Sequence, residues 1–536
     1  MLRPEGGSAG ASRIEAMAGA VATEFCIILH KAVGYTSDDT DMILAIDQGT
    51  TGTTVLVLDR QGRLVSRAYA ELPQHYPRPG WVEHRPEEIL RVTFGVIRKA
   101  LGRGLARRIQ AVGLANQRET TILWDRRTGR AIANAIVWQC RRTAPLCEQL
   151  KRQGLAPEFR RKTGLVVDAY FSGTKIRWLL DHVPGARRRA ERGELAFGTV
   201  DTWLIWHLTG GAVHATDFTN ASRTLLYNIR THRWDEGLLR RLGVPSTLLP
   251  DVRPPSGSFG VTARGGPLPA GIPITGVAGD QQASMVGHGC LEPGMAKNTY
   301  GTGCFLLLHT GSRVVASRHG LLTTLISSGT DRPAYALEGS VFIAGAAIQW
   351  LRDELRLIRS AAETEAIARS VPDTGGVYVV PAFVGLGAPY WDMHARGAVV
   401  GLTRGSNRAV LVRATLESLA YQTRDVVEAM ERDSRIHLRE LRVDGGAARN
   451  DWLMQFQADL LGVSVVRPLM VANTAQGAAL LAGRGIGWWT TQDIMMLAGR
   501  PERTFKPRMR AAERDRRYLG WREAVARVRT DAGVTG

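Results

Sequence analysis

The sequence predicts an α/β protein of two or three domains with an internal duplication. Its 536 residues exceed one ordinary core, and 59 glycines with 44% hydrophobic residues are typical of a globular chain rich in turns. Each half of the chain contains a strand–turn–strand stretch with a Gly/Thr turn, at residues 43–59 and 297–309. This repeat favours two related halves. The P-loop pattern and a GxGxxG βαβ unit are both missing, which disfavours the usual nucleotide-binding folds.

The first of these stretches, ILAIDQGTTGTTVLVLD, predicts strands at residues 43–46 and 54–58 around a tight turn. We expect its backbone N–H groups and three hydroxyls to point into one small space that suits phosphate oxygens. The turn residues are Gly49, Thr50, Thr51, Gly52 and Thr53. Asp47 would face the same space and could hold Mg²⁺ through water. An ordinary β-hairpin explains this stretch equally well when it is taken alone.

Two further positions combine charged residues with strand ends. Arg118 and Glu119 follow a strand pattern at residues 108–114, and ligands collect beyond the carboxyl ends of strands in open α/β sheets. A plain surface pair is the alternative. Asp280 follows a strand at residues 274–278 and begins a helix pattern. It could be a helix N-cap or a general base aimed into a cleft, and spacing alone does not choose between them.

The chain between and after these sites reads as helices and turns. Helices are predicted at residues 86–101, 172–182, 344–355 and 409–433, and C-terminal helices after residue 489. A Gly445–Gly446 turn precedes a helix from Asn450, which would let a flat or anionic ligand approach the backbone. A tight strand–helix turn without a ligand is the alternative.

Composition excludes some classes of protein. The net charge of +19 comes mostly from scattered arginines without interleaved aromatics, so nucleic-acid binding is disfavoured. The five cysteines form no CxxC, which predicts reduced thiols and a cytoplasmic protein. No stretch approaches about 18 apolar residues, so no membrane span is expected. Residues 1–41 fit the rest poorly; we expect a mis-assigned extension or a disordered arm, with translation starting at Met42.

Nine segments together resemble the glycerol kinases, a group within the FGGY carbohydrate-kinase family of the actin/hexokinase/Hsp70 superfamily. The resemblance is dense and in order from about residue 42 to about residue 518. The segments are DQGTT (47–51), PGWVEH (79–84), NQRETT (116–121), IVWQCRRT (136–143), YFSGTKIRW (170–178), VDTWLIW (200–206), AGDQQA (278–283), KNTYGTGCF (297–305) and VDGGAARN (443–450).

The resemblance implies two ribonuclease-H-like (actin-like ATPase) domains that enclose a catalytic cleft. Residues 42–290 would bind glycerol and carry the first phosphate hairpin, and residues 291–536 would bind ATP. Asp280 would be the general base for transfer from MgATP, giving sn-glycerol 3-phosphate, the first step of glycerol catabolism. A homo-oligomer, either a dimer or a tetramer, is also implied.

The family's functional positions carry over to residues of this chain. The substrate-binding positions are Arg118, Glu119, Trp138, Tyr170, Asp280, Gln281 and Phe305. The nucleotide-binding positions are Thr50, Thr51, Gly52, Thr302, Gly345, Gln349, Gly446 and Asn450. Asp47 matches the residue that organises Mg²⁺.

This sequence departs from the family pattern at two places. Thr54 stands where many members have an arginine near the phosphates, which leaves the ATP contacts of the first hairpin open. Residues 267–272 lack the arginine of a regulatory loop that binds fructose 1,6-bisphosphate in some bacterial members, so no inhibition through that loop is expected.

Three other functions stay open. The chain could be a sibling FGGY kinase of another small polyol or ketose, a non-catalytic actin-like or Hsp70-like ATPase, or a nucleic-acid binder. The pair Arg118–Glu119 with the bulky Trp138 and Phe305 favours a small polyol.

Overall fold

The computed structural model describes residues 41–102, 104–470 and 472–530. The prediction for residues 1–41 therefore lies outside the described residues, apart from Asp41. Among those described, no helix has both the length and the apolar character needed to cross a membrane.

The strands are short to medium in length and occur throughout the described chain. In chain order they are β1 (Met42–Gln48), β2 (Gly52–Asp59), β3 (Leu64–Glu71), β4 (Glu83–His84), β5 (Ile109–Asn116), β6 (Ile122–Asp125), β7 (Ala135–Ile136), β8 (Leu195–Gly198), β9 (Ala215–Asp217), β10 (Tyr227–Asn228), β11 (Arg233–Trp234), β12 (Asp251–Arg253), β13 (Ile274–Gly279), β14 (Met295–Tyr300), β15 (Cys304–Gly311), β16 (Leu322–Ser327), β17 (Pro333–Val341), β18 (Tyr378–Val380), β19 (Ala398–Val400), β20 (Glu440–Gly445), β21 (Ser464–Pro468) and β22 (Pro501–Phe505).

The helices alternate with the strands of each half. In chain order they are α1 (Pro86–Leu101), α2 (Ala144–Arg152), α3 (Ala156–Thr163), α4 (Ser172–His182), α5 (Ala186–Glu191), α6 (Val200–Leu208), α7 (Phe218–Ala221), α8 (Glu236–Leu242), α9 (Asp280–Gly287), α10 (Gly345–Asp353), α11 (Glu363–Arg369), α12 (Arg408–Ser434), α13 (Asp451–Leu461), α14 (Asn473–Gly485), α15 (Thr491–Ala498) and α16 (Ala511–Ala526).

The two large sheets share a common order of five strands, and the second sheet has one more strand at each edge. The first has the order β13-β5-β1-β2-β3, and the second has β16-β17-β15-β14-β20-β21-β22. In each sheet an antiparallel hairpin, β1–β2 or β14–β15, is extended by a third antiparallel strand. The first strand of each hairpin, β1 or β14, also pairs in parallel with a later strand, which is β5 in the first sheet and β20 in the second. These strands pair in parallel with β13 and β21, respectively. The predicted duplication and the ribonuclease-H-like fold of both halves are thereby confirmed.

Helix α14 lies directly against the first sheet although it follows the second sheet in sequence. A Cβ atom added at Gly113 of β5 would lie 2.1 Å from the carbonyl oxygen of Ala478, and one at Gly276 of β13 would lie 2.4 Å from the backbone nitrogen of Ala482. Buried alanines of α14 pack with Ile43 and other apolar residues of the sheet. Small residues on both elements permit this approach.

Helices α9 and α14 cross at glycines. A Cβ atom on Gly287 would lie 1.9 Å from the carbonyl oxygen of Asn473, and one on Gly477 would lie 1.8 Å from that of Ala283. Neither distance leaves room for a side chain. Because α9 begins at Asp280, this crossing fixes the helix that carries the predicted base.

Most local predictions agree with these bounds. The helices predicted at residues 86–101 and 172–182 are α1 and α4, and α10 and α12 lie within one or two residues of the predicted segments. The segment after residue 489 was predicted as helices, and this is incomplete because β22 pairs there with β21. The sequence PERTF has no apolar alternation, so the strand depends on its partner.

Candidate active site

The chain turns sharply where β5 ends. Glu119 has a φ of +60°, a left-handed conformation that costs a residue with a side chain roughly 1–2 kcal/mol. The Thr120 N–H donates to the Arg118 carbonyl oxygen at 2.7 Å and closes the turn. The side chains of Arg118 and Glu119 are 3% and 1% exposed, so the surface-pair interpretation is wrong. Strained backbone of this kind is concentrated at functional sites.

Arg118 joins acidic and phenolic groups from three separate parts of the chain. Its Nε lies 3.2 Å from Oδ1 of Asp280, and its Nη2 donates to the Tyr170 hydroxyl at 3.2 Å. The two Nη atoms donate to Glu338 on β17 at 2.7 and 3.2 Å. We call these residues, together with Glu119 and Arg223, the Arg118 cluster.

Arg223 and Glu338 are functional candidates that the sequence interpretation missed. Arg223 is fully buried; its Nε donates to Glu119 at 2.6 Å and its Nη2 to Glu338 at 3.0 Å. Burial alone would raise the pKa of Glu338, but Arg118 and Arg223 lower it to about 2. The pKa of Glu119 is raised, because the effect of burial exceeds the lowering effect of Arg118 and Arg223. A charged residue inside the apolar strand AYALEGSV was the available signal for Glu338.

Asp280 keeps an accessible carboxylate within this buried surrounding. It is the first residue of α9, and its side chain is 28% exposed. The N-cap position belongs to Gly279 and no side chain caps the helix, so the N-cap interpretation of Asp280 is wrong. The Gly279 N–H donates to the Thr219 hydroxyl at 2.9 Å, which holds the start of the helix. A carboxylate in this position can accept a proton from a bound ligand.

An aromatic wall adjoins the cluster. Trp138 and Tyr170 meet edge to face with ring centroids 5.5 Å apart, and both are partly buried. The Trp138 indole N–H donates to the Thr50 hydroxyl at 2.8 Å. The wall is thereby tied to the first Gly/Thr turn. Phe305 is partly buried on β15, where it pairs with Thr299 of β14.

A buried lysine connects the second sheet to α9. The Lys297 ammonium donates to the Gln281 amide oxygen and, at 3.0 Å, to the Thr299 hydroxyl. Burial lowers the pKa of Lys297 to about 8, although Asp444 and Asp280 act in the opposite direction. Lys297 was not among the predicted site residues, since a lone lysine in a strand pattern gives no local signal.

Asp47 at the end of β1 lies within electrostatic influence of two other carboxylates, Asp280 of α9 and Asp444 of β20. Burial, and then the charges of Asp280 and Asp444, raise the pKa of Asp47 to about 7. Burial would also raise the pKa of Asp444, but His288, at 3.1 Å, and Lys297 hold it well below its usual range. Oδ1 of Asp444 is buried without a hydrogen-bond partner. A single carboxylate of this kind can bind a divalent cation that keeps most of its water ligands.

The described residues hold no cluster of three or more His, Cys, Asp or Glu side chains arranged to hold a metal ion by themselves. A cation near Asp47 would therefore take most of its ligands from water and from a bound substrate. That is the way Mg²⁺ is usually held beside nucleotide phosphates.

Each Gly/Thr turn contains a backbone hydrogen bond donated by its first glycine, which spans three residues in the first turn and two in the second. The Gly49 N–H donates to the Gly52 carbonyl oxygen, and the Gly301 N–H donates to that of Gly303, both at 2.9 Å. Thr51 and Thr302 are exposed on their turns. The predicted role of Thr53 in the first turn is wrong: β2 begins at Gly52, and strand alternation turns the Thr53 hydroxyl inward, where it is buried.

The second turn is joined to the start of α10. The Gly345 N–H donates to the Gly301 carbonyl oxygen at 3.0 Å, and a Cβ atom on Gly345 would lie 2.6 Å from that oxygen. Gln349 is exposed one turn further along α10. Thr302, Gly345 and Gln349 are thus brought to one region of the second half.

The Gly445–Gly446 turn lies beside the same hairpin. A Cβ atom on Gly445 would lie 2.3 Å from the Tyr300 carbonyl oxygen, whereas one on Gly446 would have nothing within 4 Å. Asn450 caps α13: its Oδ1 accepts from the Leu453 N–H at 2.9 Å, and its Nδ2 donates to Thr364 at 3.1 Å. Asn450 therefore orders the turn, and the open face belongs to Gly446.

Comparison with known proteins gives one consistent result. Residues 42–287 match the N-terminal domain of the FGGY family of carbohydrate kinases, and residues 296–486 match its C-terminal domain. Glycerol kinase of Carboxydothermus hydrogenoformans is 58% identical over 91% of this chain and 98% of its own length. Glycerol kinase of Halorhodospira halophila is 60% identical over 90% of this chain and 96% of its own length. A crystal structure of Plasmodium falciparum glycerol kinase with ADP superposes with a TM-score of 0.88 at 36% identity, covering 91% of this chain and 98% of that one.

Proposed function

Because the chain belongs to the FGGY family of carbohydrate kinases, we propose that it transfers the γ-phosphoryl group of ATP to glycerol, forming sn-glycerol 3-phosphate and ADP. The observation that carries this proposal is the Arg118 cluster, in which the partly exposed carboxylate of Asp280 lies 3.2 Å from the buried guanidinium of Arg118. The curated relatives at 58 and 60% identity, both glycerol kinases, support glycerol as the substrate.

The residues around Asp280 have the hydrogen-bonding character that a triol needs. Guanidinium groups only donate, carboxylates only accept, and hydroxyl groups do both. Arg118 and Glu119 would share one end of glycerol, with Trp138 and Phe305 against its carbon chain. Tyr170 and Gln281 would complete the polar contacts. We call this space the polyol pocket.

Asp280 is the general base in this proposal. Its carboxylate takes the proton of the terminal hydroxyl as that oxygen attacks the γ-phosphorus, the bond to the ADP oxygen breaks, and ADP leaves. Arg118 holds Asp280 in place through the 3.2 Å contact, and α9 is fixed at its crossing with α14. Little covalent work remains for the protein, since phosphoryl transfer depends mainly on alignment and charge.

The two Gly/Thr turns would bind the phosphates of ATP from opposite sides. Backbone N–H groups and the hydroxyls of Thr50, Thr51 and Thr302 would be the donors. Gly52 is buried against Tyr69 and Ala70, so its part would be to allow the tight turn. Nucleotide contacts on the second half would come from Gly345, Gln349 and Gly446, with Asn450 ordering the turn that carries Gly446. ATP would enter as its Mg²⁺ complex, which lowers the phosphate charge, with Asp47 holding the cation through water.

The setting of the enzyme is also part of the proposal. The four described cysteines are free and buried, which fits a reducing compartment such as the cytoplasm. A homo-oligomer, either a dimer or a tetramer, is proposed as well.

An ADP-release assay with a panel of substrates tests the function. Glycerol, dihydroxyacetone and xylulose are compared at equal concentrations with MgATP. We expect kcat/KM to be highest for glycerol by about tenfold or more, since discrimination through hydroxyl contacts is strong. A higher kcat/KM for xylulose would favour the sibling-kinase alternative. ATP hydrolysis that no substrate of the panel stimulates would favour an actin-like or Hsp70-like ATPase that phosphorylates no polyol.

A further inference from the structure

We infer that Glu338 is a positioning residue of the polyol pocket, through which the second sheet fixes the orientation of Arg118. This inference rests on the proposed function, because it assigns Glu338 a task in binding the polyol. Glu338 belongs to β17, and Arg118 follows β5 of the first sheet, 220 residues away.

The contact between the two side chains determines the plane of the guanidinium. Nη1 of Arg118 donates to Oε2 of Glu338 at 2.7 Å, and Nη2 donates to Oε1 at 3.2 Å. Such a paired contact adds directional specificity to charge attraction. Because Glu338 occupies one edge of the guanidinium, Nε of Arg118 is directed to Asp280.

Glu338 also orders the second arginine. Nη2 of Arg223 donates to Oε1 of Glu338 at 3.0 Å while its Nε holds Glu119 at 2.6 Å. One carboxylate thus sets two guanidinium groups that hold Asp280 and Glu119. Without its charge, two buried cations would compete for the remaining carboxylates, and Arg118 would be drawn onto Asp280.

The neighbouring strand reinforces this connection between the sheets. Gln282 of α9 donates to the Thr324 hydroxyl of β16 at 3.1 Å, and Ser222 lies within hydrogen-bond distance of the same hydroxyl, at 3.3 Å. Strands β16 and β17 therefore contact the residues that flank Asp280 and Arg223. The pocket has its arginine correctly oriented only while the two sheets keep this relative position.

The test replaces Glu338 by Gln and measures both substrates separately. Glu338→Gln keeps the size of the side chain and removes its charge. We expect KM for glycerol to rise by about tenfold or more, kcat to fall by a smaller factor, and KM for ATP to stay within about twofold. Protection against thermal unfolding by glycerol should be lost, while protection by ATP should remain.

A matched control separates positioning from stability. Glu417 of α12 is also buried and ion-paired, to Arg413 at 2.9 Å, within the core of the second half. Glu417→Gln should lower the unfolding temperature and leave KM for glycerol unchanged. The same behaviour in Glu338→Gln would overturn the inference.

A shorter acid covers the case in which Glu338→Gln does not fold. Glu338→Asp keeps the charge but moves it further from Arg118. KM for glycerol should therefore rise by a smaller factor than in Glu338→Gln, while KM for ATP is unchanged. A wild-type KM for glycerol in this variant would again overturn the inference. If the wild-type enzyme phosphorylates none of the substrates, the proposed function itself fails. Normal wild-type turnover with unchanged KM in both variants contradicts only the role of Glu338.

Discussion

The guanidinium of Arg118 lies 3.2 Å from the carboxylate of Asp280, and Arg118 is held on its other edge by Glu338. Arg118 therefore keeps a charged partner when Asp280 loses its charge. Asp280→Asn should fold normally and lower kcat by about 10²–10⁴, the usual contribution of a general base. The affinity for ATP, measured by calorimetry, should change little. Near-normal turnover in this variant would contradict the assignment of the base.

Gly446 tests the nucleotide side of the cleft. A Cβ atom there meets nothing within 4 Å, and the φ of −62° suits alanine, so Gly446→Ala should leave stability unchanged or slightly raised. The new methyl group would project into the space where we expect the nucleotide. KM for ATP should rise by about tenfold while KM for glycerol is unchanged.

The control for Gly446 is another loop glycine. Gly266→Ala meets its nearest atom, the Ala263 carbonyl oxygen, at 3.7 Å, which is ordinary contact. It should leave both KM values as they are. An unchanged KM for ATP in Gly446→Ala would remove Gly446 from the nucleotide site.

The crossing of α9 and α14 gives a prediction about both stability and rate. Gly477→Ala would place a Cβ atom 1.8 Å from the Ala283 carbonyl oxygen, which is backbone and cannot rotate away. Overpacking of this kind costs about 1–3 kcal/mol or more. The displaced α9 should also lower kcat at temperatures where the protein remains folded. Urea unfolding and turnover at 25 °C measure the two effects.

A helix glycine on the surface serves as the reference for Gly477. Gly95 lies within α1, and a Cβ atom there meets nothing within 4 Å. Gly95→Ala should stabilise the protein by about 0.5–1 kcal/mol, because alanine is the better helix former. Equal effects of the two substitutions would mean that the crossing is not tightly packed.

Local sequence signals were sufficient for the framework of the fold. Helix α1 has proline at its first position, acidic residues in its first turn and basic residues in its last, and its predicted bounds are the observed ones. Arg118, Glu119 and Asp280 were found because polar residues at strand ends are unusual. Each of these signals lies within a few residues of the feature it predicts.

The missed residues depend on distant partners. Arg118 and Glu338 are 220 residues apart, and only the packing of the two sheets makes the carboxylate in β17 a neighbour of β5. The role of Arg223 is likewise visible only beside Glu119. Thr53 was misplaced for a local reason, since starting the strand at Gly52 reverses which side chains face inward.

The buried Lys297 gives the pH prediction. Burial lowers its pKa to about 8, whereas a lysine in an unfolded chain titrates near 10.4. Between these values the unfolded state binds more protons, so the folded state becomes more stable as pH rises. Below pH 8 the buried ammonium lowers the free energy of unfolding by its full amount. Relative to Lys297→Met, the free energy of unfolding of the wild type should therefore increase by about 2 kcal/mol between pH 7.5 and 10. Urea titrations at the two pH values measure this change in the free energy of unfolding.

Lys151→Met, at an exposed lysine paired with Glu148, is measured alongside as the control for removing a surface ammonium. A wild-type advantage over Lys297→Met that does not change with pH would mean that the ammonium keeps its proton in the fold, held by Asp444 and Asp280 more strongly than burial opposes it.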